Sequence, residues 1–83
     1  MNEAVEMLNR SLKQLISKEL SLDFELQDDT KLSSIKNFDS LELLELVMLI
    51  EDKFDINIAS VHNCHTYGDL LQIVKNEVIT NDE

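Results

Sequence analysis

The chain has 83 residues, of which 17 are acidic and seven are Lys or Arg, a formal net charge of −10. That length accommodates one small domain, and that charge repels nucleic-acid phosphates and anionic lipid headgroups while favouring basic partners. Cys64 is the only cysteine and the opening stretch MNEAVEMLNRSLKQL carries acids, which excludes a disulfide framework, argues against a secretion signal and fits a reduced, cytoplasmic setting.

Proline is absent and Gly68 is the only glycine, so long unbroken segments point to helices. The first is predicted over residues 2–20. Val5, Leu8, Leu12, Leu15, Ile16 and Leu20 recur there at steps that place them on one stripe. Residues 21–38, SLDFELQDDTKLSSIKNF, mix polar clusters with isolated apolar anchors at Leu22, Phe24, Leu26, Leu32, Ile35 and Phe38. The alternation at 22, 24 and 26 has strand character, but no second strand exists to pair with it. This stretch is read as a long loop fastened to the core by its apolar side chains, with one short helical turn. Loops of this length are uncommon and often functional.

A second helix is predicted over residues 40–55. Its apolar run from Leu43 to Ile50 is interrupted by Glu45, and it is far shorter than the ~20 residues a bilayer demands, so no membrane insertion is expected. At about 100° per residue, Leu43, Leu46, Val47, Ile50 and Phe54 share one arc, a core stripe. Leu41, Leu44 and Met48 lie nearly opposite, among Glu45, Glu51, Asp52 and Asp55. An apolar strip fenced by one sign of charge suits a transient protein interface, and methionine adapts to partners of different shape. The competing reading packs Leu44 and Leu41 against the long loop or the short helical turn.

A short helical turn over residues 59–64 and a last helix over residues 66–79 complete the chain. Thr66 and Asp69 form a capping pair, and Leu70, Leu71, Ile73, Val74 and Val78 supply the apolar face. The expected fold is all-α: one domain spanning residues 1–83, a small three-to-four-helix bundle with a long loop between helices 1 and 2.

Ser40 sits where the second helix starts, between Asp39 and the apolar run. Asp39 and Glu42 have capping-box spacing, which puts Ser40 in the first turn. The serine is either part of an ordinary helix start or a hydroxyl presented for attachment. No histidine lies nearby in sequence to activate it, so any chemistry on it must come from another enzyme. His62, Cys64 and His65 form a compact cluster, but structural zinc takes four protein ligands and no further Cys or His exists in the chain. No metal site is therefore expected, and Cys64 is read as a small apolar contact beside the last helix.

Residues 38–58, FDSLELLELVMLIEDKFDINI, resemble the second helix of the acyl carrier protein family. The resemblance is carried by the Asp-Ser-Leu core, Glu45, the LVM that follows, and the acidic residues before FD-x-x-I. It implies that Ser40, flanked by Asp39 and Leu41, receives 4′-phosphopantetheine from coenzyme A through a phosphopantetheinyl transferase. Leu41, Glu42, Glu45, Met48, Glu51 and Asp52 stand where the family contacts partner enzymes. Those partners would be an acyl- or aminoacyl-loading enzyme and a downstream synthase or acyltransferase with a basic docking surface. The chain itself is then a monomeric, non-catalytic carrier. Asn37 stands where many fatty-acid carriers have glycine, and the aromatic-Asp-Ser-Leu form looks more like discrete carriers of specialised pathways. After Ile58 the family's proline and acid cluster are replaced by ASVHNCHTY. An unmodified acidic adaptor using the same patch is the competing reading.

Overall fold

The computed structural model describes residues 3–36, 38–58 and 64–81. Among these, the chain forms three α-helices, α1 (Glu3–Leu20), α2 (Ser40–Phe54) and α3 (Tyr67–Asn81), and one short 3-10 turn over Leu32–Ser34. The helical turn expected at 59–64 lies, apart from Cys64, outside the described residues.

Each helix contributes an apolar stripe at helical spacing. Leu8, Leu12 and Ile16 of α1 meet Leu46 and Ile50 of α2 and Tyr67, Leu70 and Val74 of α3 in one buried cluster. Burying such a side chain fully is worth about 1.5–3 kcal/mol. Leu43 and Phe54, expected in the core stripe of α2, are only half-buried near the two ends of the helix, while Val47 is buried.

Residues 21–39 carry no regular element beyond the 3-10 turn among the described residues, yet they are firmly placed. Leu26, Leu32 and Ile35 are buried in the core, and Leu22 and Phe38 pack against it. Phe24 does not follow its neighbours. It is 46% exposed, so the expectation that it anchors the loop is corrected: the chain bends at Asp23 and Phe24, and Leu22 and Leu26 on either side face the core.

Backbone hydrogen bonds complete the fastening. Leu32 N–H donates to the His65 carbonyl, Tyr67 N–H to the Thr30 carbonyl and Gly68 N–H to the Asp28 carbonyl, each at 2.9 Å. Lys31 and Thr66 thereby face each other as an isolated antiparallel bridge. A Cβ on Gly68 would lie 2.7 Å from the Asp28 carbonyl oxygen, so the one glycine is required by a close backbone approach.

Two helices end without glycine. Ser21 (φ 53°) and Asp55 (φ 56°) both adopt the left-handed conformation. At the first end Leu22 N–H reaches back to the Ser17 carbonyl; at the second, Ile56 N–H reaches the Glu51 carbonyl. Both are Schellman-type ends, closed by an apolar residue that turns onto the core. Tyr67 is fully buried, and its hydroxyl is hydrogen-bonded to the Asn9 side chain and backbone carbonyl. That bond fastens α3 to α1 and leaves the one polar atom of a large buried ring satisfied.

Candidate functional site

Ser40 is the first residue of α2 and is exposed. The capping duty belongs to its neighbour. Asp39 Oδ1 accepts the Glu42 N–H at 2.9 Å, and the Asp39 carbonyl accepts the Leu43 N–H at 3.0 Å. Among the described residues the Ser40 hydroxyl makes no hydrogen bond, so the helix start does not consume it.

Beside Ser40 opens a cleft of about 550 Å³. One wall is Phe38, Asp39, Ser40 and Leu43; the other is Lys31, which precedes the 3-10 turn, and Leu32 and Ser33 within it, together with Cys64, His65 and Thr66. The second wall was not foreseen as one surface. It exists because the Lys31–Thr66 bridge brings two segments together that are 35 positions apart in the chain numbering, a pairing with no local signal. Its His65–Thr66 segment is fixed by Asp69, whose carboxylate accepts the His65 N–H at 3.0 Å and the Thr66 N–H at 3.1 Å. The Thr66 hydroxyl returns the favour by accepting the Asp69 N–H, a complete capping box. These backbone donors hold the Asp69 carboxyl below its ordinary value.

Cys64 is half-buried in this wall. Burial, reinforced by the Asp69 charge, pushes its thiol up to about 11, so it is protonated and unreactive at neutral pH. His62 lies outside the described residues, and among the described ones no group of three or more His, Cys, Asp or Glu could hold a metal ion.

The outer face of α2 is the second feature. Leu41, Leu44 and Met48 are 64%, 56% and 66% exposed, so the loop does not cover them. Glu45 and Asp52 are exposed beside them and Glu42 is half-buried. Partial burial, then the carboxylates of Glu45, Glu19 and Asp39, raise the Glu42 carboxyl above its ordinary value. Further along the helix a shallow groove of about 820 Å³ is lined by Glu19 of α1, by Glu45, Met48, Leu49, Glu51 and Asp52 of α2, and by residues 55–57. Glu19, at the end of the first helix, was not anticipated there. Glu51 differs from the other acids. Its Oε2 accepts the Ile58 N–H at 2.8 Å, and its backbone carbonyl holds the N–H groups of Asp55 and Ile56. One residue thus fastens the chain where it leaves α2, and its carboxylate is partly committed inside the molecule.

Residues 10–74 match the phosphopantetheine attachment site family. The acyl carrier protein of Onion yellows phytoplasma is 40% identical over 74 residues, covering 84% of this chain and 97% of the relative. That of Exiguobacterium sibiricum is 39% identical over 62 residues, 72% of this chain and 71% of the relative. That of Sulfurovum sp. is 32% identical over 68 residues, 78% and 91% respectively. The chain belongs to the acyl carrier protein family. Members carry a covalently attached 4′-phosphopantetheine and are non-catalytic carriers that interact with synthase and transferase enzymes. No helix among the described residues is long and apolar enough to cross a membrane.

The residues present fit such a group. An anion on an exposed hydroxyl at a helix start meets the positive end of the α2 dipole. The adjoining cleft offers Leu32, Phe38, Leu43 and Cys64 for apolar atoms and Lys31 for charge.

Proposed function

We propose that Ser40 is the attachment point and that the chain delivers acyl or aminoacyl groups to partner enzymes. The observation that carries this reading is the division of labour at the helix start: Asp39 caps, which leaves an exposed serine hydroxyl beside an open cleft. When bound, 4′-phosphopantetheine supplies a terminal thiol that carries acyl groups as thioesters. The protein's own residues present the anchor, line the adjacent cleft and recognise partners; among the described residues none hydrogen-bonds to the Ser40 hydroxyl as a base would. A phosphopantetheinyl transferase must therefore bring the chemistry, and coenzyme A the group.

Partner recognition is assigned to Leu41, Glu42, Glu45, Met48 and Asp52, with Glu51 contributing whatever charge its bond to Ile58 leaves exposed. Visiting several enzymes in turn demands weak, fast-exchanging contacts, which a small charged rim around an apolar strip supplies. The aromatic residue before Asp39 favours a discrete carrier of polyketide or other specialised biosynthesis over one of fatty-acid synthesis. The exposed strip would serve an unmodified adaptor equally well, and one experiment separates the two. Incubation with coenzyme A and a broad-specificity transferase is expected to add the mass of one phosphopantetheine, and Ser40→Ala is expected to abolish the gain. An unchanged mass in a folded wild-type chain would leave the adaptor.

A further inference from the structure

The start of α2 is crowded with negative charge. Asp39 lines the cleft next to Ser40, and Glu42 follows within the same turn, already close enough to Asp39, Glu45 and Glu19 to feel them. A phosphodiester on Ser40 adds another anion here. The helix dipole favours it, but Asp39 has already taken the Glu42 N–H. The opposite wall of the same cleft carries Lys31 and His65, basic side chains in a chain that has seven Lys and Arg in all. The fold brings the two together: Lys31 faces Thr66 in the bridge, and Leu32 N–H binds the His65 carbonyl at 2.9 Å. Lys31 is exposed, and among the described residues its ammonium enters no ion pair. His65 lies near enough to the Asp69 carboxylate to help lower its value, so Lys31 is the less encumbered of the two basic side chains. Leu32, Phe38, Leu43 and Cys64 make much of the remaining lining apolar.

We propose that Lys31, assisted by His65, is the positioning residue that holds the phosphodiester of the arm on Ser40 and turns the arm into this cleft rather than along the outer face of α2. This rests on Ser40 being the attachment point. It assigns the two faces of the α2 start separate tasks: the cleft side seats the arm, and the Leu41–Met48 side stays open to partners. Lys31 reaches the phosphate as a point charge on a flexible stem, so the contact weakens with salt.

The test compares apo and holo protein, the holo form prepared with coenzyme A and a phosphopantetheinyl transferase and verified by intact mass. On modification, the amide resonances of Leu32, Ser33, His65 and Thr66 are expected to shift. Lys31→Gln is expected to lose those shifts and to move the phosphorus resonance of the phosphodiester. Lys31→Arg keeps both, and His65→Gln gives a smaller loss. Lys36→Gln, exposed on the same loop but outside the cleft, changes neither. Added salt reproduces the Lys31→Gln spectrum in the wild type. A fully modified wild type whose cleft amides do not move, or a fully modified Lys31→Gln protein that matches it, overturns the inference and leaves Ser40 as the anchor. A wild-type mass that never changes overturns the anchor itself, and this inference with it.

Discussion

Replacing Gly68 by alanine is a small change with a large expected effect, because of where the new methyl group must go. Its Cβ would stand 2.7 Å from the Asp28 carbonyl oxygen, inside van der Waals contact, and the obstacle is backbone rather than a flexible side-chain end. Overpacking of this kind costs about 1–3 kcal/mol. If the chain retreats, the Gly68–Asp28 hydrogen bond of 2.9 Å is stretched, a loss of about 1 kcal/mol. Against this stands the better helix propensity of alanine, up to about 1 kcal/mol in a helix interior and less in the first turn of α3. The net loss is about 1–3 kcal/mol, from a total of about 4–12 kcal/mol for a chain of this length. Thermal unfolding followed by far-UV circular dichroism should show Tm lower by roughly 5–20 °C. Hydrogen exchange gives the local signature: the amides of Leu32, Tyr67 and Gly68 should exchange faster together, while those in the middle of α2 change less. Exposed Gln72 on the same helix, changed to alanine, is the control and should be neutral. A Gly68→Ala protein with unchanged or raised Tm would mean that propensity wins, and that the 28–32 and 65–68 segments are not held against each other as described.

The two acids at the end of α2 should part company. Glu51→Ala removes the acceptor for the Ile58 N–H and should cost about 1.5–3 kcal/mol in urea unfolding, whereas Asp52→Lys should leave stability within ~0.5 kcal/mol while weakening capture by a basic partner in a salt-sensitive way. Tyr67→Phe strands the Asn9 acceptors that its hydroxyl satisfies and should cost about 1 kcal/mol, read as a lower urea midpoint. Cys64, with its thiol pushed up to about 11, should alkylate slowly at neutral pH and in holo protein well after the thiol of the arm, as mass spectrometry of the two sites would show; a fold-stabilising preference for the neutral thiol is present below the unfolded value of 9.0 and lost as pH rises through about 11. Asp69 has the opposite sign: its lowered folded value contributes stability above the ordinary 3.8 that is lost as pH falls through the lowered value, so Asp69→Asn should flatten the acid limb of a urea midpoint-versus-pH profile.

The helices were legible because their signals are local. The three-and-four spacing from Val5 to Leu20 and the Thr66–Asp69 pair depend on residues a turn apart, and both are found in place. The exposed strip of α2 was legible too, since a single wheel shows that Leu41, Leu44 and Met48 oppose the core stripe. What periodicity does not carry is how far each residue sinks. Leu43 and Phe54 lie mid-arc but near the two ends of α2 and are half-buried, and Phe24 shares its alternation with Leu22 and Leu26 but points to water. Helix ends were the other blind spot. Both Schellman ends use Ser21 and Asp55 in left-handed conformations, and neither residue type announces such an end as glycine would.

The site was half legible for the same reason. Asp39, Ser40 and Glu42 are neighbours in the chain and announce a helix start with a spare hydroxyl. The wall they face is assembled from residues 31–33 and 64–66 by a backbone bridge, and a backbone bridge leaves no mark on side-chain composition. The HNCH stretch was therefore weighed for metal, and its Cys64 for an apolar contact beside the last helix, but neither Cys64 nor His65 as the cleft lining they form. With the arm on Ser40 as proposed, this placement also lets a cysteine be tolerated beside it. A thiolate there would compete for any acyl group carried nearby; burial and the Asp69 carboxylate keep Cys64 protonated, so the free thiol of an arm on Ser40 is the more nucleophilic of the two. Asp69 thus does two things with one charge, capping α3 and quieting Cys64. Asp69→Asn, which keeps the side-chain shape, should for that reason speed Cys64 alkylation at alkaline pH as well as weaken the helix start, and a variant that shows the second effect without the first would separate the two roles.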